Sequence, residues 1–236
     1  MILSQVNRAL TFGALALTLA CGPAGTKSNG TQTTTVAPAQ TASSTTAAQQ
    51  DSNVTLADHA RVDGRAGAPL WVIIVSDFQC PYCKQWHDQT YPALHDEFVK
   101  TGKVRVAYVN FPLNSHPQAW PAAESAMCAG AQGQFWQMED AILDAQQQWA
   151  SSATPAAVFD SLAARVGLDM TRWRSCITSG TMKPIIRADY QRATAAGVRS
   201  TPTFLIGDEL LAGAHPITSF RRVIDSALVK APPTVR

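Results

Sequence analysis

Apolar and polar positions fall into blocks along the chain, and the first globular block predicts a strand, a helix and a second strand. The run LWVIIV (70–75) is apolar throughout, which is typical of a strand buried on both faces of a sheet. The run VRVAYVNF (104–111) is β-branched and aromatic and predicts another buried strand. Between them, residues 84–100 have apolar positions at roughly helical spacing, and Pro92 is expected to kink this helix. The apolar positions are Trp86, Tyr91, Leu94 and Phe98.

The second half of the chain predicts a block of helices, then a hairpin and a last helix. Residues 118–196 are rich in Ala, Gln and Glu and contain four helical runs. Strands are predicted at 201–207 and 209–213, and an amphipathic helix at 217–229. A short edge strand is predicted near HARV (59–62). The helical runs are 118–131, 134–148, 154–166 and 182–196. The expected architecture is β-α-β, a helical block, then β-β-α, with a parallel first pair of strands.

The N-terminal segment, residues 1–20, has the pattern of a secretory signal peptide. One Arg is followed by an uncharged apolar run at 9–20. This run is too short for an ordinary transmembrane helix but suits the apolar region of a signal peptide. We therefore expect an exported protein, and a buried N-terminal helix is the alternative.

Cys21 follows the apolar run directly, in LTLACG, which resembles a bacterial lipobox in which the cysteine becomes the lipidated first residue. Thr18 stands where that motif prefers Leu, and two alternatives are ordinary signal cleavage and a free N-terminal thiol. Residues 21–55 consist largely of Thr, Ala, Ser, Gln, Gly and Pro, with few charges. Such a composition predicts a disordered tether, through which a lipidated Cys21 would attach the folded part to a membrane.

Composition and charge exclude several classes of function. The chain has 236 residues, of which 46% are hydrophobic and 15% charged, so it contains enough apolar surface for a large core. Its formal net charge of +2 gives no electrostatic reason to expect a nucleic-acid partner. We find no phosphate-binding glycine loop, no Ser/His/Asp order and no paired-carboxylate signature, and we expect no cofactor.

Two cysteines, three positions apart, stand directly after the first predicted strand in DFQCPYCKQWH. Taken alone, this spacing fits a metal site, a structural disulfide or a redox couple. Cys80, Cys83 and His87 are candidate metal ligands, with His95 or His116 as a fourth. Structural zinc usually draws on a second closely spaced ligand pair, which the chain lacks, so we predict no metal. We expect His87 on a helix surface and His116 in a loop or at a helix entry.

Five sequence blocks, in this order, resemble the DsbA-like thiol-disulfide oxidoreductases of the bacterial cell envelope. They are SDFQCPYC, NFPLNSHPQA, CAGAQGQFWQMEDAIL, VGLDMTRWRSC and GVRSTPTFLIGDELLAG. The resemblance covers about residues 56–230 and implies an α/β thioredoxin fold, with a central mixed β-sheet flanked by helices. Its thioredoxin-like domain would comprise 56–117 and 197–232, and residues 118–196 would form an inserted all-helical subdomain.

The resemblance makes Cys80 and Cys83 the redox-active disulfide and catalytic pair. A cysteine at a helix N-terminus faces free backbone N–H groups and the positive end of the helix dipole, which favour the thiolate. We therefore assign Cys80 as the nucleophile and Cys83, one turn later, as the resolving thiol. Pro81 suits the first helical turn, where its missing N–H costs nothing. Tyr82 stands where DsbA proteins often have His, so the active-site dipeptide leaves the redox potential open.

Two further positions follow from the resemblance. Thr201-Pro202 matches the loop that the family places opposite the active-site disulfide, which implies a cis Pro202 and a Thr201 backbone that pairs with an extended substrate. Members of the family often bury an acidic residue six positions before the first cysteine, where this chain has Ile74. Asp77 is the nearer acidic residue and a candidate for proton handling, and a surface turn residue is the alternative.

The chain has five cysteines, an odd number for an exported protein. If Cys21 carries lipid or leaves with the signal peptide, four remain, and Cys128 and Cys176 form a second, structural pair. The alternative is two separate buried thiols, which an oxidising compartment disfavours.

The resemblance implies a monomeric oxidase on the periplasmic or cell-surface side of the membrane. Its substrates would be reduced exported polypeptides, to which it donates its disulfide. A membrane quinone-linked partner would regenerate its disulfide. Three alternatives stay open: a disulfide isomerase or reductase kept reduced by a membrane partner, a thioredoxin-fold metallochaperone, and a tethered binding module.

Overall fold

The structure is a computed structural model that describes residues 41–230, with side chains described from residue 49 onward. The proposed signal peptide, Cys21 and the first part of the predicted tether lie outside these residues. Its strands are β1 (Val62–Asp63), β2 (Leu70–Ser76), β3 (Val104–Asn110), β4 (Thr203–Ile206) and β5 (Glu209–Ala212). Its α-helices are α1 (Thr41–Ala60), α2 (Pro81–Gln89), α3 (Tyr91–Leu94), α4 (Ala119–Gly130), α5 (Phe135–Asp144), α6 (Gln146–Ala150), α7 (Pro155–Val166), α8 (Met170–Ser179), α9 (Lys183–Ala195) and α10 (Ile217–Lys230).

The strands form one mixed sheet in the order β1-β3-β2-β4-β5. β2 and β3 run parallel, with Val72 opposite Val106, and β4 runs antiparallel to β2, with Phe204 opposite Ile74. The predicted order of strands, helical block and hairpin is confirmed. One detail differs: Trp71 in β2 is 41% exposed instead of buried, with the Arg105 guanidinium 4.8 Å from its ring centre.

The helix predicted at 84–100 is broken into three pieces. α2 ends at Gln89, α3 begins at Tyr91, and residues His95–Val99 form a π-helical segment. The break falls at Thr90, whose hydroxyl donates to the carbonyl of His215 at 3.0 Å. Pro92 then lies in the first turn of α3 instead of kinking a continuous helix, because a first turn does not need its missing N–H.

Residues between β3 and β4 form helices α4 to α9, as predicted for the insertion. The run predicted at 134–148 is divided near Ala145, and α8 was missed, although Asp169 caps it by accepting from the N–H groups of Thr171 and Arg172. A disulfide between Cys128 and Cys176 joins α4 to α8, with Cα atoms 5.8 Å apart and a sequence separation of 48. Closing a loop of this length removes chain entropy worth about 4 kcal/mol from the unfolded state.

The prediction that residues 21–55 are disordered is wrong for 41–55, which form most of α1. The segment is poor in apolar residues, but its contact with the core needs few of them. Ala57 is fully buried, and a Cβ added at Gly130 in α4 would stand 3.3 Å from the Ala57 Cα. The absence of that Cβ allows α1 and α4 to approach closely, and Val54 packs beside them. The edge strand expected at 59–62 is accordingly displaced to Val62–Asp63.

A buried ion pair fixes the end of α1. The Arg61 guanidinium bonds the Asp189 carboxylate of α9 and donates to the Tyr108 carbonyl of β3 at 3.2 Å. Asn110 donates its side-chain amide to the same carboxylate at 3.0 Å. Arg61 and Asp189 are 5% and 0% exposed, so water screens their attraction weakly. Within Thr41–Lys230, no helix combines the length and hydropathy needed to cross a bilayer.

The packing of α1 yields a test by hydrogen–deuterium exchange. Backbone amides of the last turns of α1 should be protected in the unmodified protein. Replacing the buried Ala57 with Asp places a charge against α4 and should abolish this protection, at a cost of about 3 kcal/mol in unfolding free energy. Leu56→Asp is the matched control, since Leu56 is 52% exposed, and it should leave the protection intact. Unprotected amides in the unmodified protein would contradict the packed helix.

Candidate active site

Cys80 occupies the N-cap of α2, in the loop that follows β2. Its backbone is extended, with φ −71° and ψ 122°, and Pro81 begins the helix after it. The Cys80 carbonyl accepts from the N–H groups of Cys83 and Lys84 at 3.1 and 3.2 Å, which starts the first helical turn. The sequence therefore places a thiol at the end of a helix where unpaired N–H groups and the helix dipole favour negative charge.

The loop before β4 brings Thr201 to this thiol from 121 positions away in sequence. The Thr201-Pro202 peptide bond is cis, and the Cys80 thiol donates to the Thr201 carbonyl at 3.4 Å. The Thr201 hydroxyl is buried and has no hydrogen-bond partner among the described residues. It is therefore available to donate to a thiolate on Cys80. The structure thus brings together the two cysteines and the Thr-Pro pair that the sequence singles out.

The pKa of Cys80 is lowered from an ordinary 9.0 to about 6. The largest cause is the hydrogen bond from the Cys83 thiol, and burial opposes it. Further lowering comes from the Thr201 side chain and from the backbone N–H groups of Cys83 and Tyr82. At neutral pH the Cys80 sulfur is therefore largely a thiolate, the form that attacks disulfides.

Cys83 has the opposite electrostatics. It is 1% exposed, and burial is the main cause that raises its pKa well above 9.0, followed by the hydrogen bond and negative charge of Cys80. The Asp77 backbone N–H approaches its sulfur at 3.5 Å, and both cysteines are free thiols in the structure. Cys80 therefore ionises first and the proton on Cys83 is retained, so the arrangement can keep a nucleophile and a resolving thiol distinct.

Asp77 is not a surface turn residue, because it is 1% exposed. One carboxylate oxygen accepts from the Gln79 N–H at 2.7 Å. The other accepts from the Leu113 N–H at 2.8 Å and lies 2.7 Å from Nδ1 of His116. The carboxylate therefore joins the active-site loop to the loop after β3. The atom of Asp77 that contacts Cys83 is its backbone nitrogen, so a proton-handling role for the carboxylate stays a prediction.

Two glutamines hold the active-site loop, and sequence reasoning missed both. Gln146, at the start of α6, is 6% exposed and donates its side-chain amide to the carbonyls of Phe78 and Cys80 at 2.7 and 3.0 Å. Gln79 donates to the Ala150 carbonyl at 3.3 Å and accepts from the Gln118 N–H at 2.7 Å. Helical periodicity contains no signal for these contacts, because their partners lie far away in sequence.

The candidate metal ligands are not assembled around the cysteines. His95 bonds Asp63 with its Nε2 at 2.9 Å, and His116 bonds Asp77. His87 was expected on an open helix surface, but only 11% of its side chain is exposed because it lies beside Glu139. Among residues 41–230, the acidic, His and Cys side chains close enough to share a cation are those of His87, Glu139 and Asp140, without a cysteine.

The Gln146 contacts and the low pKa of Cys80 predict the pH dependence of its alkylation by iodoacetamide. In the reduced protein the rate should rise with pH to a midpoint at about 6 and then level off, because only the thiolate reacts. Gln146→Leu removes both donations to the loop and should shift this midpoint upward. Gln148→Leu, an exposed neighbour, should not shift it. Equal midpoints in the two variants would contradict the role assigned to Gln146.

Comparison with known proteins places this site in a family. A family model described as Thioredoxin matches residues 57–226. The Na(+)/H(+) antiporter NhaA 3 of Salinispora tropica is 33% identical over 175 residues, which is 74% of this chain and 25% of that protein. The chain thus spans about a quarter of that relative's length. A probable disulfide bond formation protein D of Bacillus anthracis is 27% identical over 173 residues, covering 71% of this chain and 77% of the relative.

Solved structures agree with the fold. The crystal structure of Wolbachia pipientis alpha-DsbA1 matches with a TM-score of 0.64 and 21% identity, over 72% of this chain and 91% of that one. This likeness confirms the thioredoxin fold with a helical insertion that the sequence predicts. The family match covers both halves of the sheet and the insertion between them. The chain belongs to the thioredoxin family.

Proposed function

We propose that this chain is a DsbA-like thiol-disulfide oxidoreductase, and that it acts as a cell-envelope oxidase that donates the Cys80–Cys83 disulfide to reduced exported polypeptides. The observation that carries the proposal is the position of the Cys80 sulfur, at the N-cap of α2 and opposite the Thr201 carbonyl, where its pKa is lowered to about 6 in the reduced protein. A stabilised thiolate lowers the free energy of the reduced state relative to the disulfide. The disulfide is then a stronger oxidant, and it tends to be transferred to a client, meaning a reduced exported polypeptide.

The proposed reaction has two exchange steps. A client thiolate attacks the Cys80 sulfur of the oxidised couple, a client–Cys80 bond forms, and Cys83 leaves as a thiolate. Because the pKa of Cys83 is high, this thiolate takes up a proton. A second client thiolate then attacks the client sulfur of the mixed disulfide, and Cys80 leaves as a thiolate. The client loses two electrons and forms one disulfide, and the Cys80–Cys83 couple gains those electrons.

Client binding is proposed at the exposed side of the couple. Tyr82, two residues after Cys80, is 62% exposed, and the Thr201 carbonyl faces the Cys80 sulfur. We infer that an extended client segment lies along the Thr201-Pro202 loop and pairs with the Thr201 backbone. Such pairing requires no particular client side chains, which suits an enzyme that acts on many unfolded chains.

The cellular setting of the proposal rests on the N-terminal sequence. Residues 1–20 would direct export, and lipidation of Cys21 would hold a monomeric enzyme at the membrane, on its periplasmic or cell-surface side. A membrane quinone-linked oxidase is the proposed partner that restores the disulfide. Anchoring of both proteins in one membrane would raise their effective concentration.

Oxidase and isomerase activities separate in a paired assay with ribonuclease. The oxidised protein should form disulfides in reduced, unfolded ribonuclease stoichiometrically, and the reduced protein should reactivate scrambled ribonuclease poorly. Cys80→Ser should abolish both activities, since the attacked sulfur is lost. Cys83→Ser cannot form the disulfide and should not oxidise reduced ribonuclease. With scrambled ribonuclease, its Cys80 thiolate should attack a client disulfide, release one client thiolate and accumulate a client–Cys80 mixed disulfide that Cys83 cannot resolve, which a non-reducing gel detects.

Cys21→Ala is the control variant and should retain activity in solution. Efficient reactivation of the scrambled client by the reduced protein, without oxidation by the disulfide form, would favour the isomerase alternative. Suppression of client aggregation that survives Cys80→Ser would favour the binding-module alternative.

A further inference from the structure

Cys83 needs a proton when it leaves the disulfide, in a place shielded from bulk water. It is 1% exposed, and burial raises the pKa of its thiol well above 9.0, so the thiolate released in the first exchange step must be protonated inside the protein. Cys80 cannot supply this proton, because its sulfur is then bonded to the client. Asp77 contacts the Cys83 sulfur through its backbone N–H at 3.5 Å, which is not an acid near neutral pH.

Ser76 and Tyr108 lie on one face of the sheet, next to Cys83. Ser76 ends β2 and pairs with Asn110 of β3, and Tyr108 stands two residues earlier in β3, so its side chain points to the same face. Burial raises the pKa of both Cys83 and Tyr108, and hydrogen bonding by the Ser76 side chain acts in the opposite direction on both. The contact of Ser76 with Tyr108 is longer than an ordinary hydrogen bond, because the buried Tyr108 hydroxyl has no hydrogen-bond partner among the described residues.

The buried carboxyl group of Glu139 lies beyond Tyr108. The Tyr108 ring packs against Phe135 of α5 at 5.3 Å between centroids, and Glu139 follows Phe135 by one helical turn, on the same face of α5. Glu139 is 3% exposed, and its Oε2 forms no hydrogen bond within the described part of the chain. After burial, the negative charge of Glu139 is the largest cause that raises the pKa of Tyr108, and Cys83 is the next. Tyr108 is therefore close enough to interact with charge on both Glu139 and Cys83.

His87 connects Glu139 to the surface. Its Nδ1 lies 3.3 Å from Glu139 Oε1, and its Nε2 lies 3.3 Å from Oδ1 of Asp140, whose side chain is 60% exposed. Burial raises the pKa of Glu139. Burial alone would lower the pKa of His87, but the Glu139 carboxylate raises it. Both groups therefore hold a proton more strongly than usual, so the pair can keep one near neutral pH and exchange it with solvent.

We propose that a proton relay joins solvent to the Cys83 sulfur. Its members, in order from the surface, are His87, Glu139, Tyr108 and Ser76. Ordered water at the unpaired oxygens of Tyr108 and Glu139 would complete the relay, as is usual for buried polar atoms.

The relay moves one proton and no electrons. When the client–Cys80 bond forms and Cys83 leaves as a thiolate, the Ser76 hydroxyl donates its proton to the sulfur and regains one from Tyr108. The His87–Glu139 pair reprotonates Tyr108 and takes one proton from solvent. The relay rests on the proposed thiol-disulfide exchange but not on its direction, because re-formation of the disulfide returns the same proton.

The test is the rate at which dithiothreitol reduces the Cys80–Cys83 disulfide of the full chain carrying Cys21→Ala, quantified by acid quenching and mass spectrometry. Tyr108→Phe and Glu139→Gln should each slow this reduction on the order of tenfold or more, because Cys83 then leaves without its proton donor. Both variants should also be slowed less by D2O than the parent is. The equilibrium constant of Tyr108→Phe with glutathione should equal that of the parent, since a relay changes the rate of proton delivery and not its end states.

Two matched substitutions control for altered packing. Tyr190→Phe removes a hydroxyl on the other face of the sheet, where Tyr190 stacks on Phe111. Glu124→Gln removes a carboxyl group whose pKa burial also raises, but whose charged neighbour is Lys183. Both variants should react at the rate of the parent.

Glu139→Asp separates proton transfer from packing. Gln matches Glu in shape but holds no acidic proton, whereas Asp is shorter but can hold one. The relay predicts faster reduction of Glu139→Asp than of Glu139→Gln, and a purely structural role predicts the reverse. If the Glu139 variants do not fold, Tyr108→Phe decides alone, because it keeps the ring and its contacts.

Parent-like rates in Tyr108→Phe, or in a folded Glu139→Gln, would overturn the relay and leave the exchange chemistry intact. Faster reduction of Glu139→Gln than of Glu139→Asp would do the same. A parent disulfide that dithiothreitol does not reduce would instead overturn the proposed exchange chemistry, and the relay with it.

Discussion

The stabilisation of negative charge on the Cys80 sulfur is the interaction on which the site depends. It requires the sulfur to stand at the N-terminus of α2 and within reach of Cys83 and Thr201. Each requirement is met by a different part of the fold. The loop after β2 sets the N-cap, the first helical turn places Cys83, and the pairing of β4 with β2 brings Thr201 opposite. The proposed redox function needs a thiolate at this position of the thioredoxin fold.

The helical insertion helps to hold the active-site loop that carries Cys80. Gln146 bonds the carbonyls of Phe78 and Cys80, and Gln79 is held between Ala150 and Gln118. These bonds satisfy buried backbone groups of the active-site loop, which would otherwise be costly to desolvate. The insertion thereby fixes the backbone from which the thiolate is presented. Asp77 has the same effect from the other side, through His116 and Leu113.

The sequence predicted those features of the fold that depend on interactions between residues close together in the chain. Pro81 and Cys80 mark a helix start because capping involves neighbours in sequence, and the strand runs were apparent from apolar and β-branched residues. The Cys128–Cys176 pair followed from the cysteine count and the family resemblance. The contacts of Gln146, the burial of Asp77 and the placement of His87 beside Glu139 depend on partners far along the chain, which periodicity does not encode. Residues 41–55 of α1 were predicted as tether because the contact of this helix with the core is made by Ala57 against the small residue Gly130 and does not depend on the hydrophobicity of the segment.

The proposed oxidase function requires that the lowered pKa of Cys80 makes the Cys80–Cys83 disulfide oxidising. The equilibrium of this couple with reduced and oxidised glutathione tests it most directly, when the thiol and disulfide fractions are quantified at fixed pH. We expect a reduction potential clearly less negative than about −270 mV, the value for thioredoxin, and shifted toward about −120 mV, the value for DsbA. A potential at or below about −270 mV would contradict an oxidising couple and assign the protein to reduction.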